Sequence, residues 1–273
     1  MQVMIAKPQM LEFLNTTISK YETRPSGKYV IQEFAHPKFN IKVYNTGTMT
    51  VSGSKEFDIF TKLLKYTNEE YSSGSDEVGV GDFFGPTVYC CVKLTPESLA
   101  YIAANNLVIK DSKKMTDDEI FELFEKHLKD NIEYHVAVAF DRDIPRELNS
   151  IEQKSYYHNQ LTSKFTDLRY AVIDLYTTEN NFHKVTTKLN LTWPKPLVLE
   201  TKADSKYYSV ALASIIARYH FVVEMDKLDL KYNYHFPYGA NVAKEAQVVA
   251  DLLGKEEMAK FCKTTFKTFD ALH

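Results

Sequence analysis

Apolar residues first recur at helical spacing in MLEFLNTTISKYE, where Leu11, Leu14, Ile18 and Tyr21 fall on one face. After the RPSGK turn the period drops to two. KYVIQEF, NIKVYN and TMTVSG read as three strands joined by HPKF and NTGT. KEFDIFTKLLKY returns to helical period. The front of the chain thus predicts helix, three-strand meander, helix. The polar stretch TNEEYSSGS (67–75) reads as a linker, dividing the chain into domains 1–66 and 76–273.

Beyond it, strand and helix patterns alternate. TVYCCVKL is β-rich, and TPESLAYIAANNL is a helix with Thr95 as N-cap and Glu97 in its first turn. TDDEIFELFEKHLKDN, capped by Thr116, buries Ile120, Leu123, Phe124 and Leu128. EYHVAVAF is a strand, a helix spans roughly 145–167, and YAVID is a strand. A short helix near 180–189, the strand PLVLE and a long helix from about 205 follow, with helical segments closing the chain. Strands separated by helices predict an α/β sheet with helices packed on it.

The 273 residues suit one large domain plus a small one, and 44% hydrophobic residues can fill a core. No apolar run is long enough for a membrane span, and MQVMIAKPQM lacks a secretory pattern, so a cytoplasmic protein is expected. Cys90, Cys91 and Cys262 form no CxxC pair and are expected as buried reduced thiols. The net charge of −3 is unevenly spread. Nine Lys/Arg face five Asp/Glu up to residue 65, and the remainder is acidic.

Functional groups in open α/β sheets gather at strand ends. Asp76 and Glu77 begin the glycine-rich GSDEVGVGDFFGP (74–86), Asp174 ends the apolar run AVI, and Asp204 follows the strand PLVLE. Carboxylates beside a turn suit a hard divalent cation. Singly, each also has a plainer role. Asp204 fits an N-cap, Asp174 a strand end, and the pair at 76–77 loop solvation.

GSDEVGVGDFFGP, DSKKM (111–115), VID (172–174) and ETKADSKYYSVALASIIARY (200–219) occur in the order of the type 2 ribonucleases H. The GDFFGP tail and the size of the leading domain resemble the ribonuclease HIII branch. The resemblance covers essentially the whole chain. It is highly specific in 74–86 and 200–219, fair in 111–115 and 234–241, and weak in 1–65.

It implies an α/β fold, a ribonuclease H-like mixed sheet flanked by helices, preceded by a small α+β substrate-binding domain resembling the TATA-binding protein. It implies an endonuclease that hydrolyses the RNA strand of RNA–DNA hybrids to 5′-phosphate and 3′-hydroxyl ends. Asp76, Glu77, Asp174 and Asp204 are then the catalytic carboxylates, holding two Mg²⁺ or Mn²⁺ ions. Gly79, Val80 and Gly81 would meet ribose 2′-hydroxyls through the backbone. Lys113, Lys114 and Lys202 would contact phosphates. The ALAS segment (211–214) would pack the long helix on the sheet. The expected partner is the hybrid duplex, with a monomeric protein, no membrane and no protein partner.

Three positions depart from the branch. Val80 replaces a usual threonine, and Asp204 a usual glutamate. Tyr238 stands where lysine is usual, in a context where the HII branch stacks a tyrosine on sugar. Cleavage at single ribonucleotides embedded in DNA is therefore one alternative reading. A non-catalytic hybrid-binding module and an unrelated metal-dependent nuclease or phosphatase are others.

Overall fold

The computed structural model describes residues 2–273 apart from 7, 55–58, 60–62, 64–68, 108, 110, 111 and 146. Ten strands form two five-stranded sheets among the described residues.

The first sheet is antiparallel, in the order β1 (Gln2–Ile5), β5 (Thr48–Ser52), β4 (Phe39–Tyr44), β3 (Val30–His36), β2 (Glu22–Thr23). The three expected strands are its centre. Two were not anticipated. β1 precedes any alternation long enough to read, and β2 is two residues long, its neighbour Tyr21 having been assigned to the helix. Helix α1 (Pro8–Thr17) ends earlier than its apolar spacing predicts, and a 3₁₀ turn at Ser19–Tyr21 carries the chain into β2. Phe34, Ile41, Val43, Met49 and Val51 are buried together with Met10, Leu14 and Ile18. The opposite face carries Asn40, Lys42, Tyr44 and Thr50, all partly exposed. The helix expected over 55–66 lies outside the described residues, except Ile59 and Leu63, which are helical and buried.

The second sheet runs β10 (Leu197–Glu200), β9 (Tyr170–Asp174), β6 (Ser72–Val78), β7 (Thr87–Leu94), β8 (Glu133–Ala139). β6, β7 and β8 form an antiparallel meander, and β9 and β10 run parallel to β6. Helix α2 (Pro96–Ala104) starts at a Thr95–Ser98 capping box, and α3 (Asp117–Leu123) at one between Thr116 and Glu119. Both match their expected starts. Helix α4 (Ser150–Thr162) is shorter than the 145–167 pattern, because Asn149 caps it by accepting from Ile151 N and Glu152 N. Helix α5 (Glu179–Lys188) links β9 to β10.

The longest helix, α6 (Tyr208–Tyr232), packs across β6 and β7. Contact is close because β6 begins Ser72-Ser73-Gly74-Ser75. A Cβ at Gly74 would come 2.4 Å from Val210 N. These buried strand residues correct the linker expected at 67–75. Glu69 belongs to the body too: its buried carboxylate accepts from Tyr208 N and Ser209 N at 3.2 Å each, capping α6. Residues 67 and 68 lie outside the described residues.

Candidate active site

The register of the parallel strands builds the site. β6 and β9 pair up to Ser75↔Ile173, so Asp76 and Asp174 come next on neighbouring strands. Asp76, Glu77 and Asp174 line one cleft of about 540 Å³ together with the 79–82 turn, Ser112, Lys113, Met115, Ser214 and Arg218.

The three carboxylates differ in environment. Burial and the charges of Glu77 and Asp174 push Asp76 up to about 8, with a hydrogen bond from Ser214 opposing. Asp174 is raised by burial and by Asp204 and Glu77, opposed by its bond from Ala203 N at 3.0 Å. Burial also disfavours ionised Glu77, but His158 and Lys154 outweigh it and hold this carboxylate low, at about 2. Lys154 Nζ lies 2.6 Å from Glu77 Oε1, and His158 Nε2 lies 2.8 Å from Oε2. His158 Nδ1 shares a hydrogen bond with Ser75.

Asp204 is near enough to Asp174 to raise it, yet its side chain does not line the cleft. It sits in a 3₁₀ turn (Ala203–Ser205), accepts from Ser205 N at 2.9 Å, and borders a separate small hollow with Ile109, Tyr207 and Ala211. Among the described residues, no group of three His, Cys, Asp or Glu side chains is placed to hold a metal ion. The donor set nevertheless fits a hard cation. It is made of oxygens, and the charges of Glu77 and Asp174 raise Asp76 while those of Asp204 and Glu77 raise Asp174, a repulsion that a divalent ion would relieve.

Lys113 lines the cleft and lowers Asp174 through its charge. Lys114 follows it on the same 3₁₀ turn, exposed and outside the cleft lining. Lys202 is exposed, in left-handed backbone, and also outside the lining. Tyr238 stands at the margin, 41% exposed, 5.1 Å from the guanidinium of the cleft residue Arg218.

Four side chains placed around the acids of the cleft escaped sequence reading. Lys154 and His158 are spaced i, i+4 on α4, as are Ser214 and Arg218 on α6, a spacing that puts each pair on one helix face. Ser214 corrects the expectation that ALAS only packs. It bonds Ser112 Oγ at 2.8 Å and touches Asp76. Arg218 is oriented by Asp117 at 3.1 Å.

A family model described as Ribonuclease HII matches residues 73–269. The chain belongs to the ribonuclease HII family. It is a type 2 ribonuclease H, most like the HIII branch. Ribonuclease HIII of Streptococcus pneumoniae (strain 70585) is 27% identical over 270 residues, covering 92% of this chain and 91% of the relative. That of Streptococcus thermophilus (strain ATCC BAA-491 / LMD-9) is 29% identical over 268 residues, covering 90% and 88%. Bst-RNase HIII, solved in complex with Mn²⁺, has a TM-score of 0.70 at 23% identity, covering 98% of this chain and 96% of that one. RNase H3 of Aquifex aeolicus gives 0.59 at 21% identity, covering 97% and 100%. The ribonuclease HII fold thus spans the body of this chain, and the HIII likeness extends over its first sheet. No described helix is long and apolar enough to cross a membrane.

Proposed function

We propose that this ribonuclease H cuts the RNA strand of RNA–DNA hybrids endonucleolytically, leaving 5′-phosphate and 3′-hydroxyl ends, with two divalent ions, Mg²⁺ or Mn²⁺. The observation that carries the reading is the placement of Asp76 and Asp174 at adjacent parallel strand ends, in a cleft that also holds the Gly79–Gly81 turn.

When bound, the ions would lower the pKa of the attacking water and stabilise the departing oxygen. The chain's own residues do the rest. Asp76 and Asp174 offer oxygens from the cleft, and Glu77 is kept ionised by Lys154 and His158. Asp204 would be the fourth donor, its side chain having to leave Ser205 N to serve as one. Lys113 draws the scissile strand's phosphates toward the acids, and Lys114 and Lys202 act further along the backbone. At Gly79 a side chain is excluded, since a Cβ would meet Pro86 O at 2.4 Å, while Gly81 is exposed with nothing within 4 Å of the same position. The bare turn lets main-chain groups approach the ribose 2′-hydroxyl, which separates RNA from DNA. The leading domain (residues 1–66) supplies affinity through the polar, lysine-bearing face of the first sheet and leaves chemistry to the body. The reading takes the protein as monomeric and cytoplasmic.

The test is cleavage of three labelled duplexes, a long hybrid, a single ribonucleotide in DNA and all-DNA, each with Mg²⁺ and with Mn²⁺. The long hybrid is cut rapidly in a metal-dependent way and all-DNA stays intact. An uncut hybrid would leave only a binding module. Tyr238 beside Arg218 favours a second activity at single ribonucleotides, and the middle duplex decides it.

A further inference from the structure

The Gly79–Gly81 turn is held from outside its own hairpin. Asp82 Oδ1 accepts from Gly239 N at 2.6 Å, and Phe83 N donates to Gly239 O at 2.9 Å. Gly239 is itself anchored to the end of α6. Asp229 accepts from Phe236 N at 2.9 Å, and Phe236, 1% exposed, packs on Phe84 and Phe261. The N-terminal half of the same helix packs on β6, which carries Asp76 and Glu77. One rigid element thus sets both the height of the carboxylates and, through residues 236–239, the height of the turn.

We infer that Asp82 is a positioning residue for substrate recognition. Its carboxylate latches the 79–81 turn to Gly239, fixing where bare backbone meets the ribose face of the hybrid. This rests on the reading that residues 79–81 face the substrate. The carboxylate is the bond's only side-chain contribution, so an asparagine at 82, which keeps an acceptor oxygen, preserves the latch, whereas alanine leaves only the backbone bond from Phe83 N to Gly239 O. A charged acceptor on a backbone N–H is among the stronger hydrogen bonds, and losing it lets the turn drift. Small misplacements of positioning groups cost substantial binding.

The experiment compares full-length wild type with Asp82→Ala, Asp82→Asn and Gly81→Ala, reading KM and kcat on a long hybrid with Mg²⁺ and the melting temperature. Asp82→Ala is expected to raise KM by about tenfold with kcat within about twofold, and Asp82→Asn to restore KM to within about twofold. Gly81→Ala meets no atom of the free protein, so its melting temperature stays put while its KM rises. An unchanged KM for Gly81→Ala overturns the reading of the turn, and the latch with it. A raised KM for Gly81→Ala beside an unchanged KM for Asp82→Ala overturns the latch alone. Asp82→Ala losing kcat, KM and melting temperature together, without rescue by Asp82→Asn, reduces Asp82 to a structural group and also overturns the inference.

Discussion

The two sheets have five strands each, yet among the described residues it is the second that gathers carboxylates at one edge. The first is antiparallel throughout, so neighbouring strand ends point to opposite edges and its face becomes the broad feature it can offer. In the second, β6, β9 and β10 run parallel and finish at a shared edge, where Asp76 and Asp174 become neighbours although they stand 98 positions apart in the chain. Parallel pairing is thus the device that assembles a reaction site, and the antiparallel sheet is suited to spreading contacts along a ligand.

Breaking the shared edge has the largest expected effect. Asp76→Asn or Asp174→Asn lowers single-turnover cleavage of a hybrid by about a thousandfold or more while hybrid affinity survives. Retained cleavage would remove these residues from the chemistry. Next comes removal of residues 1–66, which keeps Glu69 and its cap on α6. KM rises by about tenfold or more, and the salt dependence of binding flattens as phosphate contacts are lost. An unchanged KM would place the first sheet outside the substrate path.

A smaller effect sharpens where the body begins. Glu69→Ala leaves two amides at the start of α6 without their carboxylate, at a cost of about 1–3 kcal/mol. The melting temperature should fall by roughly 2–4 °C per kcal/mol. No change would return residue 69 to the linker. A further effect is on pH dependence without metal. Asp76 keeps its proton to about 8 in the folded state but ionises near 3.8 when unfolded. The folded state therefore holds a proton the unfolded state has lost, and stability falls as pH rises through that window. Asp76→Asn removes this slope. Parallel melting profiles for the two proteins across that range would contradict the assignment.

The starts of α2 and α3, the three central strands of the first sheet, and β7 to β10 of the second were legible because side-chain period and cap chemistry are local, whereas β6, the middle strand of the second sheet, was not. β1 and β2 were not, since four- and two-residue strands carry too little alternation. The start of the body was hidden because Ser72, Ser73 and Ser75 look like loop residues. Their small size is what α6 requires at its closest approach. At the site, motif order marked the acids, whereas Lys154 and His158 support Glu77 across 77 and 81 positions of chain, a pairing with no local signature. Asp204 shows the converse, a motif residue whose backbone arrives while its side chain remains tied to Ser205 N.

The central claim is that acids from separate strand ends serve one pair of ions. Diffraction from crystals of the protein with a hybrid and Mn²⁺, using the anomalous signal, tests it most directly. The account predicts two Mn²⁺ peaks in the cleft, directly coordinated by Asp76, Glu77, Asp174 and Asp204, with Asp204 swung away from Ser205 N. Peaks elsewhere, or ions bound to Asp76 and Asp174 while Asp204 keeps its present bond, would contradict it.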